Sequence, residues 1–287
     1  MSIGKEVTLG EIVDTLNNCV KDKNLGSDGW KVEFFLGFWD ILGNDVLEMV
    51  EETRKSGFVT SALNFTFIAF IPKNSKPDKY DDFRLISLCN LAYKIISKII
   101  AKRLKPLLPK FITGEQFGFL PNKQILDVVG ITQELLHSIK KNNLSALILK
   151  MDLVKAYDRI NWDFLLLILI QAGLAHEVVE WILACVCNAR FTVLVNGSPL
   201  GFFKGNKGLR RGCPLSSLLF FMVIDGFSRL ILKAKQEGHL KGMSTTKIHY
   251  LTHFLLWTTT CYLVTILKQS GNYTGISSIF STYKLIH

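Results

Sequence analysis

Acidic residues are in short supply. There are 24 Asp and Glu against 34 Lys and Arg, a formal net charge of +10, with a pI of about 9.3. That balance favours a polyanionic partner, nucleic acid first and an anionic membrane surface second. An inert basic surface is the plain alternative. Cysteines are few, and only Cys185 and Cys187 are close neighbours among Cys19, Cys89, Cys185, Cys187, Cys213 and Cys261. C-x-C without a nearby histidine pair is not a zinc spacing. The six read as reduced thiols of an intracellular protein, in cytoplasm or nucleus, rather than as a disulfide framework. Residues 1–8 are polar and charged, so no secretory signal is expected. The apolar runs near 164–170 and 217–224 are too short to span a bilayer, so neither a transmembrane segment nor a membrane partner is expected. Internal repeats and low-complexity linkers are absent.

What remains is a chain of 287 residues, 48% hydrophobic, enough for one large domain or two small ones with a substantial core. The mean hydropathy of +0.26 is high, as if part of the surface were built to be covered. Helical patterns run over about 9–25 and 32–55, broken at Gly26-Ser27-Asp28-Gly29. Residues 62–71 read as a strand, aromatic and β-branched, and Pro72 to Asp78 as a loop. Phe65, Phe67 and Phe70 there read as core rather than as base-stacking platforms. A helix over 91–108 carries Lys94, Lys98, Lys102 and Lys105 at i, i+4, i+8 and i+11. That stripe is either a track for a phosphate backbone or simply the solvent side. Further helices are expected over 127–140, 162–172 and 177–188. Asn196-Gly197 marks a hairpin between 190–195 and 200–204. Pro214 suits the first turn of a helix reaching about 235. Two strands, 247–256 and 261–267, close the pattern, and the mixture indicates an α+β fold.

The most informative stretch is the apolar run 146–151 that ends in Asp152 and continues into Lys155-Ala156-Tyr157-Asp158. A carboxylate closing a buried strand suits a magnesium ligand, because hard cations take oxygen donors. Nucleotidyl transfer needs two such ions, one for the attacking 3′ oxygen and one for the triphosphate. Tyr157 fits beside it as a ring able to sense the sugar 2′ position. An ordinary exposed Asp at a strand end is the alternative.

Leu149-Lys150-Met151-Asp152-Leu153-Val154-Lys155-Ala156-Tyr157-Asp158-Arg159 resembles motif A of reverse transcriptases from non-LTR (LINE-type) retroelements, plant ones especially. Gly26-Ser27-Asp28-Gly29 resembles the family's P-G-P-D-G turn. Phe83-Arg84-Leu85-Ile86-Ser87-Leu88-Cys89-Asn90 and Tyr93 to Lys98 resemble its fingers signature, R-P-I-S-L-C-N…Y-K-I-I-S-K. Gln116 to Phe119 is similar to Q-x-A-F. Gly208 to Ser216 resembles motif B, G-L-R-Q-G-D-P-L-S. The match keeps the family order over roughly 26–260.

The resemblance implies a right-hand polymerase fold with fingers and palm and no recognisable thumb. Its parts would be a helical lead-in at 1–59, fingers at 60–145 and a truncated palm at 146–287. It implies an RNA template, a DNA primer and deoxynucleoside triphosphates as partners, and Mg2+ as cofactor. Asp152 would be the catalytic metal ligand and Tyr157 the sugar gate. Lys73 and Arg84 would face the incoming triphosphate, and Gly212 would let the backbone approach the template–nucleotide pair. The family's third motif, H-L-L-F-A-D-D-T, corresponds to His253-Phe254-Leu255-Leu256-Trp257-Thr258-Thr259-Thr260. Thr258 and Thr259 replace both aspartates, and Asp152 alone should not hold two ions. In motif B, Arg211 stands for Gln and Cys213 for Asp; in the fingers signature, Leu85 stands for Pro. Neither an endonuclease nor an RNase H domain is expected in this chain. The sequence therefore indicates a reverse transcriptase core with impaired chemistry. A non-catalytic nucleic-acid-binding module and a translated relic are the alternatives.

Overall fold

The computed structural model describes residues 3–19, 26, 28–116, 125–144, 146–153, 155–239, 253–256 and 260–266. Their contacts divide into two compact units that interleave along the chain. One holds Met1–Pro106 and Asn161–Leu219, the other Leu107–Ile160 and Phe220–His287.

The first unit is built on a sheet. Strands β1 (Phe65–Pro72) and β2 (Phe83–Cys89) form an antiparallel hairpin. Strand β4 (Arg190–Val195) pairs parallel to β1, with Phe65 opposite Arg190 and Ile68 opposite Val193. The short strands β5 (Ser198–Pro199) and β6 (Phe203–Lys204) both pair with β4. Asn196 and Gly197 take φ of 51° and 80°, the two left-handed residues that a tight hairpin turn demands. Aromatics meet edge-on around this sheet: half-buried Phe65 meets Phe67 and the exposed Phe202, and half-buried Phe70 meets Phe83 and the exposed Tyr80.

Helices α1 (Leu9–Asn17), α2 (Val32–Gly37), α3 (Trp39–Ser56), α4 (Leu91–Leu104), α8 (Trp162–Gln171) and α9 (His176–Cys187) complete this unit. The Thr8 hydroxyl starts α1 by accepting from the Glu11 N–H, and Asn161 starts α8 by accepting from Asp163 and Phe164. The core centres on α4, where Ile95, Ile96, Ile99, Ile100 and Leu104 are fully buried. Trp181 of α9 is buried too, and its indole N–H donates to the Thr53 hydroxyl at 3.2 Å. Trp162 donates likewise to the Gly208 carbonyl at 2.9 Å, tying the start of α8 to the 208–213 loop. Two arginines clasp the N-terminal segment to this core. Arg103 grips the Glu11 carboxylate with two nitrogens, at 2.9 and 2.6 Å, and donates to the carbonyls of Ile3, Lys5 and Glu6. Arg54 holds Glu51 and the Gly4 carbonyl.

The second unit carries an antiparallel three-stranded sheet ordered β3 (Ala146–Asp152), β8 (Thr260–Ile266), β7 (His253–Leu256). Helices α5 (Leu108–Phe111), α6 (Ile125–Lys141) and α7 (Ala156–Arg159) belong to it. Helix α10 (Pro214–Gln236) opens in the first unit and continues into the second. At 23 residues it is long and apolar enough to cross a membrane, where the sequence shows only a short run at 217–224. Some 72% of its apolar part is buried inside the protein, as in the core helix of a globular domain.

Candidate functional site

Asp152 is the last residue of β3, as its sequence context predicts. Strand register decides what lies beside it. Asp152 pairs with Thr260, the first residue of β8, and Thr260 pairs in turn with Leu256, the last residue of β7. The β7–β8 connection is therefore three residues long, 257–259, and leaves the sheet at the end where Asp152 sits. Thr258 and Thr259 lie within that connection and outside the described residues. Of the expected strands over 247–256 and 261–267, the pairing describes 253–256 and 260–266, and 247–252 and 267 lie outside the described residues.

The chain turns after β3. Lys155 adopts φ 53° and ψ 37°, a left-handed conformation uncommon for a side chain with a Cβ, and caps the single turn of α7. Ala156 and Ile160 point into the core. Tyr157 between them is half-buried, its ring flat against Phe220 at 4.5 Å between centroids and 11° between planes. Offset aromatic pairs of this kind hold both rings in plane. The ring proposed to sense the sugar is thus oriented by α10, a contact that no local sequence signal shows.

Behind the sheet runs a buried polar chain. Asp225 on α10 accepts from the Thr113 N–H and hydroxyl at 2.7 and 2.8 Å, and from the Arg229 guanidinium at 2.8 Å. The Thr113 and Ser228 hydroxyls are 3.0 Å apart, and Ser228 is 2.6 Å from His253 Nε2. Burial pushes the His253 imidazole down to about 3, so it is neutral at physiological pH.

The other site residues named from the sequence lie in the first unit. Arg84 stands opposite Ile71 in the β1–β2 ladder, and Lys73 is two positions past Ile71, so both cations fall on one face of the hairpin end. Both are exposed. The Lys73 ammonium donates to the Asp81 carbonyl at 2.6 Å, and its N–H donates to the Asp82 carbonyl at 2.8 Å. The loop is knitted further by the Asp82 carboxylate, which accepts from the Asp78 and Lys79 N–H groups. Gly212 has φ +88°, which requires glycine. A Cβ there would meet only the Ser87 carbonyl oxygen, at an ordinary 3.7 Å. The Gly26-to-Gly29 turn packs tightly: a Cβ on Gly26 would lie 2.6 Å from the Asn90 backbone, and Asp28 caps α4 by accepting from the Leu91 N–H.

In the lysine stripe on α4, Lys98 donates to the Asn18 carbonyl at 2.9 Å, while Lys102 stays exposed with its ammonium 3.6 Å from the Asp14 carboxylate. The residue that the sequence reading passed over is Arg210. It is buried, its guanidinium carbon lies 3.8 Å above the Tyr93 ring, and it donates to the Thr66 hydroxyl and the Cys185 carbonyl. Tyr93 in turn contacts Cys213 Sγ at 3.3 Å. The groups acting on this cation are a phenol and the thiols of Cys89, Cys213 and Cys185, with no carboxylate among them. Burial pushes the Cys185 thiol up to about 12, and the Cys89 thiol and the Tyr93 phenol upward as well. Its place in the Gly208-to-Ser216 motif was the available signal.

Comparison with known proteins bears on this arrangement directly. The family model described as reverse transcriptase (RNA-dependent DNA polymerase) matches residues 71–260. A Xenopus laevis protein, "Transposon TX1 uncharacterized 149 kDa protein", is 32% identical over 230 residues, covering 79% of this chain and 17% of that protein. The Pol polyprotein of a type-2 retrotransposable element of Drosophila melanogaster is 25% identical over 175 residues, 61% of this chain and 16% of the other. The chain thus spans under a fifth of either relative. The structure of apo telomerase from Candida tropicalis, truncated from its C-terminal domain, superposes with a TM-score of 0.52 at 16% identity. That match covers 87% of this chain and 52% of the telomerase chain, and it carries the fold, the right-hand polymerase type. With the family model running from the end of β1 to the start of β8 and retroelement proteins as relatives, the chain belongs to the reverse transcriptase (RNA-dependent DNA polymerase) family, as a domain of the non-LTR retrotransposon type.

Proposed function

We propose that this domain descends from an RNA-directed DNA polymerase and has lost most or all of its nucleotidyl transfer. The carrying observation is the register that sets Asp152 beside the connection between β7 and β8, where the sequence reads Trp257-Thr258-Thr259. The family generally uses Mg2+. A carboxylate and two neutral hydroxyls do not fit a two-ion centre, because magnesium takes charged oxygen donors. Among the described residues, no group of three His, Cys, Asp or Glu could hold a metal ion.

The roles that remain are those of binding and orientation. Asp152 is the surviving metal-ligand position. Tyr157 crowds the sugar 2′ position, Lys73 and Arg84 attract the triphosphate, and the Gly212 backbone lies against the template–nucleotide pair. The partners are an RNA template, a DNA primer and deoxynucleoside triphosphates, met inside the cell. A plant element as the source is supported by an uncharacterized mitochondrial protein of Arabidopsis thaliana, 36% identical over 58 residues, which are 20% of this chain and 48% of that protein.

Primer extension on an RNA template tests the reading, with Mg2+ and then Mn2+. The unmodified chain and Asp152→Ala should both be silent, and Thr258→Asp/Thr259→Asp should extend. Extension by the unmodified chain that Asp152→Ala abolishes would sink the claim of lost chemistry. The net charge of +10 favours a second reading, a nucleic-acid-binding module without chemistry. It requires RNA affinity that falls steeply with salt in the unmodified chain.

A further inference from the structure

The polar chain behind the sheet has a direction, and the direction can be worked out from one end. The Asp225 carboxylate only accepts. Thr113 gives its hydroxyl proton to Asp225, so the 3.0 Å contact between Thr113 and Ser228 requires Ser228 to donate. Ser228 then has no proton left for His253, and at 2.6 Å the His253 Nε2–H must donate to Ser228. With burial keeping the ring neutral, the proton order assigns it the Nε2–H tautomer. The members come from three places in the second unit: the segment after α5, the buried side of α10, and the first residue of β7.

We propose that Asp225, Thr113, Ser228 and His253 form a positioning network that pins the register of the β7–β8 hairpin and with it the pairing of Thr260 with Asp152. The register of β7, His253–Leu256, is specified by what each of its residues meets on the buried side. A slip by one residue would set Phe254 against Ser228 and strand two buried hydrogen-bonding groups. His253 pairs with Leu263, and Leu256 with Thr260, so holding the first residue of β7 holds the last, and with it the Thr260 pairing to Asp152 at the end of β3. Asp225 is itself held by Arg229, which also donates to the Phe111 carbonyl, so the far end of the network is anchored as well. None of the four residues is a metal ligand or touches substrate in this account. The inference rests on reading that hairpin as the second arm of a polymerase centre.

Amide hydrogen exchange on the full chain tests it. His253→Leu and Ser228→Ala should each speed exchange over 254–256 and 261–265 by about tenfold or more, with α4 and α9 unchanged. The double variant should be no worse than either alone, and His253→Gln, which keeps a donor, should restore most of the protection. In the Thr258→Asp/Thr259→Asp background, Mn2+ affinity read by electron paramagnetic resonance should drop about tenfold with His253→Leu and recover with His253→Gln. Unchanged exchange in β7 and β8, or additive effects of the two single variants, overturns the network. Should His253→Leu fail to fold, Ser228→Ala and His253→Gln give the same comparison. Absence of Mn2+ binding in the Asp-pair chain, alongside the expected exchange pattern, supports the network and sinks the polymerase-centre reading instead.

Discussion

Arg210 and Tyr93 lie face to face in the first unit, guanidinium carbon to ring centroid 3.8 Å, both buried and both ringed by thiols. A buried guanidinium ordinarily sits with a carboxylate. In the motif that Gly208 to Ser216 resembles, the position of Cys213 is Asp. Cys213→Asp should therefore raise stability by about 1–2 kcal/mol at neutral pH by supplying the cation's partner. The same change in an Arg210→Met background should destabilise, since it would bury a lone carboxylate. Denaturant melts of the four-member cycle measure the coupling, and equal effects in both backgrounds would remove Arg210 from the account.

Arg103 joins Glu11 and three carbonyls of the N-terminal segment through five hydrogen bonds. Arg103→Ala should cost about 2–4 kcal/mol, and Arg103→Lys should recover little because an ammonium cannot reproduce the fork. Limited proteolysis should then cut within residues 3–8 well before the core is digested.

His253 makes stability depend on pH. Its folded pKa is lowered to about 3 by burial, below the ordinary 6.5. Above pH 6.5 both folded and unfolded states hold it neutral, and the contribution is level. Below 6.5 the unfolded state takes up a proton that the folded state refuses, so stability falls as pH drops towards 3. The slope is at most about 1.4 kcal/mol per pH unit, or about 2 kcal/mol between pH 6.5 and 5. Urea melts at pH 7.5, 6 and 5 should show that loss in the unmodified chain and a shallower one in His253→Gln.

Tyr157 owes its plane to Phe220. In the Thr258→Asp/Thr259→Asp chain, Tyr157→Ala should raise ribonucleotide use relative to deoxyribonucleotide by about tenfold or more, a discrimination typical of one steric contact. Tyr157→Phe should leave the ratio unchanged, because ring bulk and not the hydroxyl does the crowding. Phe220→Leu should fall between the two, since it frees the ring without removing it. Competition between the two nucleotide types on one template reads the ratio.

Local chemistry was legible in the residues themselves. The strand ending at Asp152, the turn at Asn196-Gly197 and the helix opening at Pro214 need only nearby preferences, and each is where those preferences put it. The order of motifs likewise carried the family, since a motif is a linear object. The side on which a residue ends up is another matter. Lys98 and Lys102 share one spacing, yet Lys98 is tied to the Asn18 carbonyl beyond α1 while Lys102 stays exposed beside Asp14. Arg210 reads as one more loop cation and is buried under Tyr93. Strand β4 joins β1 in parallel across more than a hundred intervening residues, a pairing no local signal encodes. The chain from Asp225 to His253 joins groups 25 to 115 positions apart, and its proton order exists only once they touch. By itself the sequence determined the elements, the family and the loss of two carboxylates at 258 and 259. Which polar groups are desolvated together, and so which of them position the rest, was decided by long-range packing, because burial and hydrogen-bond direction are properties of neighbours in space.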